Sequence, residues 1–366
     1  MEKVIKTKPH YLILDGLRGV AAILVLLFHL LEAHASSKAG QIINHGYLAV
    51  DFFFMLSGFV IGYAYDDRWN KIKFKDFVLR RIVRLQPMIV LGSVIGAIGI
   101  TFQQSGVFPN YHMVTVASVI LLMVIGFTVL PVPPSMDIRG WNEMHPLNGP
   151  EWSLFFEYIA NILYGLILRK LSTKILCVLA LIAAGFLINL GVSHGDMIGG
   201  WAFTLDGLSV GFTRLAYPFL MGLILARIGK KIRINNAFLF CTMAIVFVLS
   251  VPRIGNHELI WQNGLYEASV ILFIFPLIVL AGAGGTIKGE KGKAICKFIG
   301  DISYPLYITH YPLVYIYFAV VNNNKLTLSQ SWPVAVVIFV CAIVLAYIYL
   351  KLYDEPVRKW LAKKLI

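Results

Sequence analysis

Apolar residues in this chain neither alternate with polar ones nor recur every third or fourth position. They come in long blocks, near 12–31, 47–65, 87–102, 113–131, 153–168, 173–191, 205–226, 236–252, 265–283, 300–320 and 332–350. A bilayer core asks for about 20 consecutive apolar residues per helix, so each block predicts a membrane-crossing or membrane-embedded helix. No repeat at a fixed period, low-complexity tract or Pro/Ser-rich linker interrupts the series. The pattern predicts one all-α domain, a polytopic helical bundle. Its core spans about 10–355, with no appended soluble domain.

Composition sharpens this. Of 366 residues, 58% are apolar and 14% charged, and the mean hydropathy is +0.75. Soluble domains carry about 25% charged residues, so a soluble fold, a disordered chain and a disulfide scaffold are excluded. Cys177, Cys241 and Cys341 lie in apolar runs and Cys296 in a lysine-rich connection. No metal-ligand or bridging spacing is present, and all four read as packing residues.

The net charge of +13 sorts along the chain. The start (Lys3, Lys6, Lys8), 66–86, 169–174, 227–233, 284–298 and the end of the chain hold 26 of the 32 Lys and Arg. The other connections hold only Lys38, Arg139, Arg253 and Lys325, and Arg18 and Arg214 sit within apolar runs. Such a bias predicts cytoplasmic basic loops, with both termini cytoplasmic in the inner membrane, and not a nucleic-acid surface. Lys-rich residues before an apolar run, then Ala33-His34-Ala35, imitate a secretory signal, but Asp15 and Arg18 break that run. It reads as a retained first helix.

Eleven runs conflict with two cytoplasmic termini, which require an even number of crossings. Three runs lie between the basic segments 66–86 and 169–174, so one of 87–102, 113–131 and 153–168 should fail to cross. The first is short and glycine-rich, and the last is short and carries Glu157. The expectation is about ten crossings plus a re-entrant segment. Such a segment is tolerated only in protein or beside a cavity.

Ionisable residues inside a membrane are functional candidates. Arg18 and His29 are eleven residues apart; at ~100° per residue they end about 20° beyond three turns, separated by ~16.5 Å. Arg18 alone is explained equally by snorkelling. Two such residues on one stripe favour a polar cavity. Asp51, near the start of the second run, suits a helix cap, and Ser57-Gly58 suits close packing. Arg81 and Arg84 share a face and suit either anionic lipid or a phosphorylated cytoplasmic ligand. Trp152 suits an interface, and Glu157 requires a partner, His29 or an arginine. Ser303, Tyr307 and His310 form one polar stripe. Asp206 and Arg214 in the seventh run could pair or line the same cavity. His10, His112, His145, His194 and His257 are assigned no role.

In this order the motifs resemble the acyltransferase family 3 membrane proteins. The most specific match is Arg18 followed by His29. It is followed by Asp51-Phe52-Phe53 with Ser57-Gly58-Phe59, then Arg81, Arg84 and Pro87, and Trp152-Ser153-Leu154 with Glu157. Ser303-Tyr304, Tyr307 and His310 come next, then Glu355-Pro356-Val357-Arg358. Ala49, where a glycine is usual, and Gln86 are mild departures. The resemblance implies a bacterial membrane enzyme that moves an acyl group, commonly acetyl, from cytoplasmic acetyl-CoA to a hydroxyl of a cell-surface saccharide or glycolipid, with no metal. Arg81, Arg84 and Arg18 would hold the donor. His29 would act as general base, Glu157 would orient it, and Arg18 would hold the cofactor or stabilise charge. Asp15, Asp51, Ser57, Trp152, Ser153, Arg214, Ser303, Tyr304, Tyr307 and His310 would bind or support. An acyl-histidine relay stays open, as does a transporter of glycan intermediates.

Overall fold

The computed structural model describes residues 8, 10–35, 37, 40–255 and 259–366. Lys3, Lys6, Lys38 and His257 lie outside them. The described residues contain helices and no strand. The helices are α1 Leu12–Glu32, α2 Ala49–Tyr65, α3 Phe74–Gly99, α4 Val116–Gly126, α5 Glu151–Leu166, α6 Thr173–His194 and α7 Leu205–Ile228. They continue with α8 Ala237–Ser250, α9 Trp261–Ser269, α10 Phe275–Gly284, α11 Glu290–Asn324, α12 Leu328–Tyr349 and α13 Glu355–Leu365. One-turn π segments at Val270–Ile274 and Leu350–Asp354 join α9 to α10 and α12 to α13. By length and composition, seven helical stretches among the described residues could each cross a membrane.

Two expectations about segments change. The run 87–102 is not a short element. It is the later part of α3, which begins at Phe74 within the basic segment, where Asp76 accepts from the Lys73 backbone N–H. Hydropathy hides that start because the first turns are charged. The short element is α4 in the run 113–131, whose 11 residues rise ~16.5 Å, about half of a ~30 Å bilayer core. Similarly, Cys296 lies not in a loop but on α11, buried, with its thiol donating to Leu12 O at 3.2 Å. All four cysteines are free thiols.

The bundle is organised by two close helix pairs. At α1 and α11 a Cβ added to Gly19 would lie 2.1 Å from Ile299 O, and one on Gly16 would lie 2.3 Å from Cys296 Sγ. At α2 and α7, Cβ atoms on Gly58 and Gly222 would meet Phe219 O and Met55 O, each at 2.1 Å. Small residues permit backbone contact where lipid supplies no hydrophobic drive.

Proline adds a second constraint. Pro312 lacks an N–H, which frees the carbonyl of Ile308 one turn earlier. The Asn148 side chain fills that vacancy, donating to Ile308 O at 2.8 Å and also to Glu151 Oε1 at 2.9 Å. This fixes the start of α5, and therefore Trp152, Ser153 and Glu157, against the middle of α11.

Gly19→Ala should destabilise the detergent-solubilised protein by about 1–3 kcal/mol through overpacking. Gly185→Ala, with nothing within 4 Å of the added carbon, should be neutral or slightly stabilising. Thermal melting of the two variants against the parent checks the contrast.

Candidate active site

The polar stripe of α1 serves two cavities. Arg18 lines a cavity of about 90 Å³ at the end of the bundle that carries Arg81 and Arg84. His29 lines a cavity of about 600 Å³ at the opposite end. Val50 of α2 and Tyr307 of α11 line both, so the partition between them is one side chain thick there. The two α1 residues share a stripe, as their spacing predicts, but not a single hollow.

In the smaller cavity, Arg18 Nε donates to Ser303 Oγ at 2.9 Å and its Nη2 lies 3.2 Å from Asp15 Oδ1. Asp15 also meets His10 Nδ1 at 2.5 Å. This ion pair draws the His10 imidazole above its ordinary value, the hydrogen bond it donates to Asp15 outweighing desolvation. Arg81 Nη2 donates to Glu157 Oε1 at 2.8 Å, and Ser57 Oγ donates to the same oxygen at 2.7 Å. The buried Nε of Arg81 has no partner, nor has that of neighbouring Arg80. Arg84 lines the cavity within reach of the charges of Arg18, Arg81 and Arg358. Tyr304 OH donates to Leu85 O at 2.6 Å, tying α11 to α3. A cluster of guanidiniums with unspent donors suits a multiply charged anion.

The partition is aromatic and hydroxylic. Phe53 meets Tyr307 edge-on with ring centroids 5.2 Å apart, and Tyr307 OH shares a 2.8 Å hydrogen bond with Ser153 Oγ. The stripe of Ser303, Tyr307 and His310 thus runs from one cavity, through the partition, to the side of the other.

At the opposite end, His29 Nδ1 lies 2.9 Å from Glu32 Oε2. That bond assigns Nδ1 as the donor and leaves Nε2 as the basic nitrogen. His310 stacks on His29 at 5.7 Å and Tyr311 meets it edge-on at 4.6 Å. The buried His310 donates its Nδ1–H to the carbonyls of Leu306 and Tyr307, and its Nε2 has no partner. Glu157, expected as a partner for His29 or an arginine, is on Arg81; the carboxylate at His29 is Glu32. Sequence reasoning missed Glu32, although its i, i+3 spacing from His29 was a readable signal. Asp206 is not the partner of Arg214, which instead binds both carboxylate oxygens of buried Asp51, at 2.6 and 3.3 Å. Trp152 is not a surface belt residue but lines the large cavity, 7% exposed.

The large cavity has a second carboxyl group. Glu143 accepts from Tyr315 OH at 2.6 Å and sits 3.7 Å from Arg139 Nε. Burial outweighs that arginine and pushes Glu143 up to about 8. No periodicity marks this loop residue, and the sequence offered no signal for it. A carboxyl group whose folded value is raised is destabilised as it ionises, so its contribution is fully present at low pH and is lost as pH rises towards about 8. Ionisation of this one group should therefore cost on the order of 3 kcal/mol of stability between about pH 5 and 8.5. Glu143→Gln should flatten that slope, measured by thermal melting across the range.

Comparison with known proteins bears on this geometry. The family model described as an acyltransferase domain, that of acyltransferase family 3, matches residues 11–351. The chain is 25% identical over 368 residues to the peptidoglycan O-acetyltransferase OatA of Listeria monocytogenes, covering 94% of this chain and 55% of that protein. It therefore spans about half of that relative's length. It is 32% identical over 162 residues to protein 2 in the picA locus of Rhizobium radiobacter, covering 42% of this chain and 81% of that protein. No solved structure matches. With a family match that runs from α1 into the last π turn, on a chain of several membrane-length helices, the protein belongs to acyltransferase family 3 and is a multi-pass membrane acyltransferase.

Proposed function

We propose that the protein is an O-acetyltransferase that takes an acyl group from cytoplasmic acetyl-CoA and delivers it to a saccharide hydroxyl at the external face of the inner membrane. The observation that carries this reading is that α1 bears Arg18 into a guanidinium-rich cavity and His29 into a larger one, with Val50 and Tyr307 common to both. A phosphorylated donor and an uncharged acyl group have opposite needs, and the two ends meet them separately.

The basic loops favour the Arg18 end as cytoplasmic, with both termini on that side. Ten crossings follow if α4 is the segment that fails to cross. On this reading Arg81, Arg84 and Arg18 hold the donor's phosphates. The unpartnered Nε of Arg81 is a donor such oxygens would satisfy. Glu157 with Ser57 holds Arg81 in place. The acyl end passes the Phe53 and Tyr307 partition to reach His29.

There His29 Nε2 takes the acceptor's hydroxyl proton as the oxygen bonds to the acyl carbon. The carbon–sulfur bond breaks, and the proton passes from His29 to the departing thiolate. Glu32 keeps Nδ1 protonated and steadies the imidazolium. Ser153 and Tyr307 keep the partition ordered, and Asp51 with Arg214 fixes the wall opposite.

Purified protein with radiolabelled acetyl-CoA and cell-envelope acceptor tests this. His29→Ala at unchanged protein level should lose about 10²–10⁴-fold of transfer; full retention would overturn the mechanism. Glu32→Gln should lower kcat with little change in donor KM. Arg81→Ala/Arg84→Ala should raise donor KM more than acceptor KM, and an unchanged donor KM would return these arginines to lipid anchoring. For orientation, a single cysteine in 284–298 should resist external maleimide and one in 321–331 should label.

A further inference from the structure

The large cavity also carries information about the acceptor, on the basis of the transfer reading above. Its about 600 Å³ falls within the range of small-ligand sites, about 300–1,000 Å³. Aromatic rings dominate its walls: Trp141, Trp152, Trp201, Tyr47, Tyr311 and Phe318 all line it. Flat rings offer faces for the C–H surfaces of a sugar ring, at low entropy cost.

The polar groups are one-sided. Glu32 and Glu143 offer carboxyl oxygens to hydroxyl donors. Of the cations nearby, Arg214 lines the wall but four of its five N–H donors are engaged. Its Nε and Nη2 go to Asp51, Nη2 also to Tyr47 O at 2.8 Å, and Nη1 to Gly199 O at 3.0 Å. Arg139 is fully buried and not part of the wall; it lies behind Glu143 with Nε on Pro146 O at 2.6 Å, Nη1 on Gln103 and Nη2 unpartnered. Among the described residues of the wall, His29 is then the remaining basic group, and its Nδ1 is held by Glu32 at 2.9 Å. A carboxylate or phosphate entering this cavity would shed water without finding a free cation among the described residues of the wall, which is strongly unfavourable. A ring bearing only hydroxyl or amide groups would find acceptors in Glu32 and Glu143.

We propose that the cavity is an acceptor site for an uncharged pyranoside, with one ring hydroxyl at His29, and that the pairing of Arg214 with Asp51 and the burial of Arg139 behind Glu143 exclude uronic acids and sugar phosphates. Trp201, half-buried at the wall, is the stacking platform. Gln41, whose side chain lines the cavity and donates to Phe28 O at 3.3 Å, occupies a position from which an added cation would reverse the selectivity.

The experiment uses the full-length protein in proteoliposomes with radiolabelled acetyl-CoA. The acceptors are methyl glycosides of glucose, galactose, mannose, rhamnose and N-acetylglucosamine, set against methyl glucuronide, methyl galacturonide and glucose 6-phosphate. At least one uncharged glycoside should be acetylated, and the charged sugars should react at least about tenfold more slowly. Gln41→Arg should raise the uronide-to-glycoside ratio about tenfold. Trp201→Ala, at an unchanged elution volume, should raise glycoside KM and leave donor KM alone. Dodecyl glycosides distinguish the source: a KM below that of the methyl glycoside marks a membrane-borne sugar, and an equal one a water-borne sugar, both within the proposal. Acid sugars reacting as well as neutral ones would overturn it. So would silence of every uncharged glycoside while cell-envelope acceptor is still labelled. Absence of label on any acceptor would instead strike the transfer reading itself.

Discussion

The contact between α1 and α11 is the constraint on which the rest of this molecule depends. Gly16 and Gly19 let the two backbones meet where a single Cβ would collide with Cys296 or with the Ile299 carbonyl. At that separation the polar stripe of α1 faces the polar stripe of α11, so Arg18 reaches Ser303 and His29 lies on His310. Had larger residues held the helices apart, each polar group would have been left to find lipid or water. Because it cannot do so at low cost in a bilayer, the close pair fixes the polar interior of the whole bundle.

Charge pairing then divides that interior. Arg81 with Glu157 and Arg214 with Asp51 are both ion pairs between different helices. The first stands in the small cavity beside unspent guanidinium donors. The second stands at the large cavity with nearly every donor used. Equal residue types thus give opposite chemistry: one cavity keeps positive charge available, and the other has neutralised it. The aromatic partition at Phe53 and Tyr307 keeps the two environments apart. On the proposed transfer the division is useful, since a polyanionic donor and a neutral acceptor would be recognised by unlike surroundings.

Much of this was legible in the chain. The apolar blocks, the sorting of Lys and Arg and the eleven-residue spacing of Arg18 and His29 are local quantities, readable because helical geometry converts spacing directly into direction. The need of Glu157 for a partner was equally readable, since an isolated carboxylate in a membrane is costly. Which partner it takes was not. Arg81 is 76 residues away in sequence, and no local rule chooses between an arginine and a histidine at that range. Glu32 was readable but hidden, sitting where the first helix appeared to end. Glu143, in a loop, had no periodic signal.

By itself the sequence determined an all-helical membrane protein with its basic side marked and its polar stripes drawn along α1 and α11, because those properties follow from spacing and hydropathy alone. Only the tertiary structure decided that the stripes serve two cavities and that α4 is the short element. It also decided that Glu32, not Glu157, meets His29 and that Arg214 is neutralised by Asp51. Each of these depends on which helices touch and at what depth. That choice is made by glycine contacts and a proline-freed carbonyl acting between segments far apart in the chain.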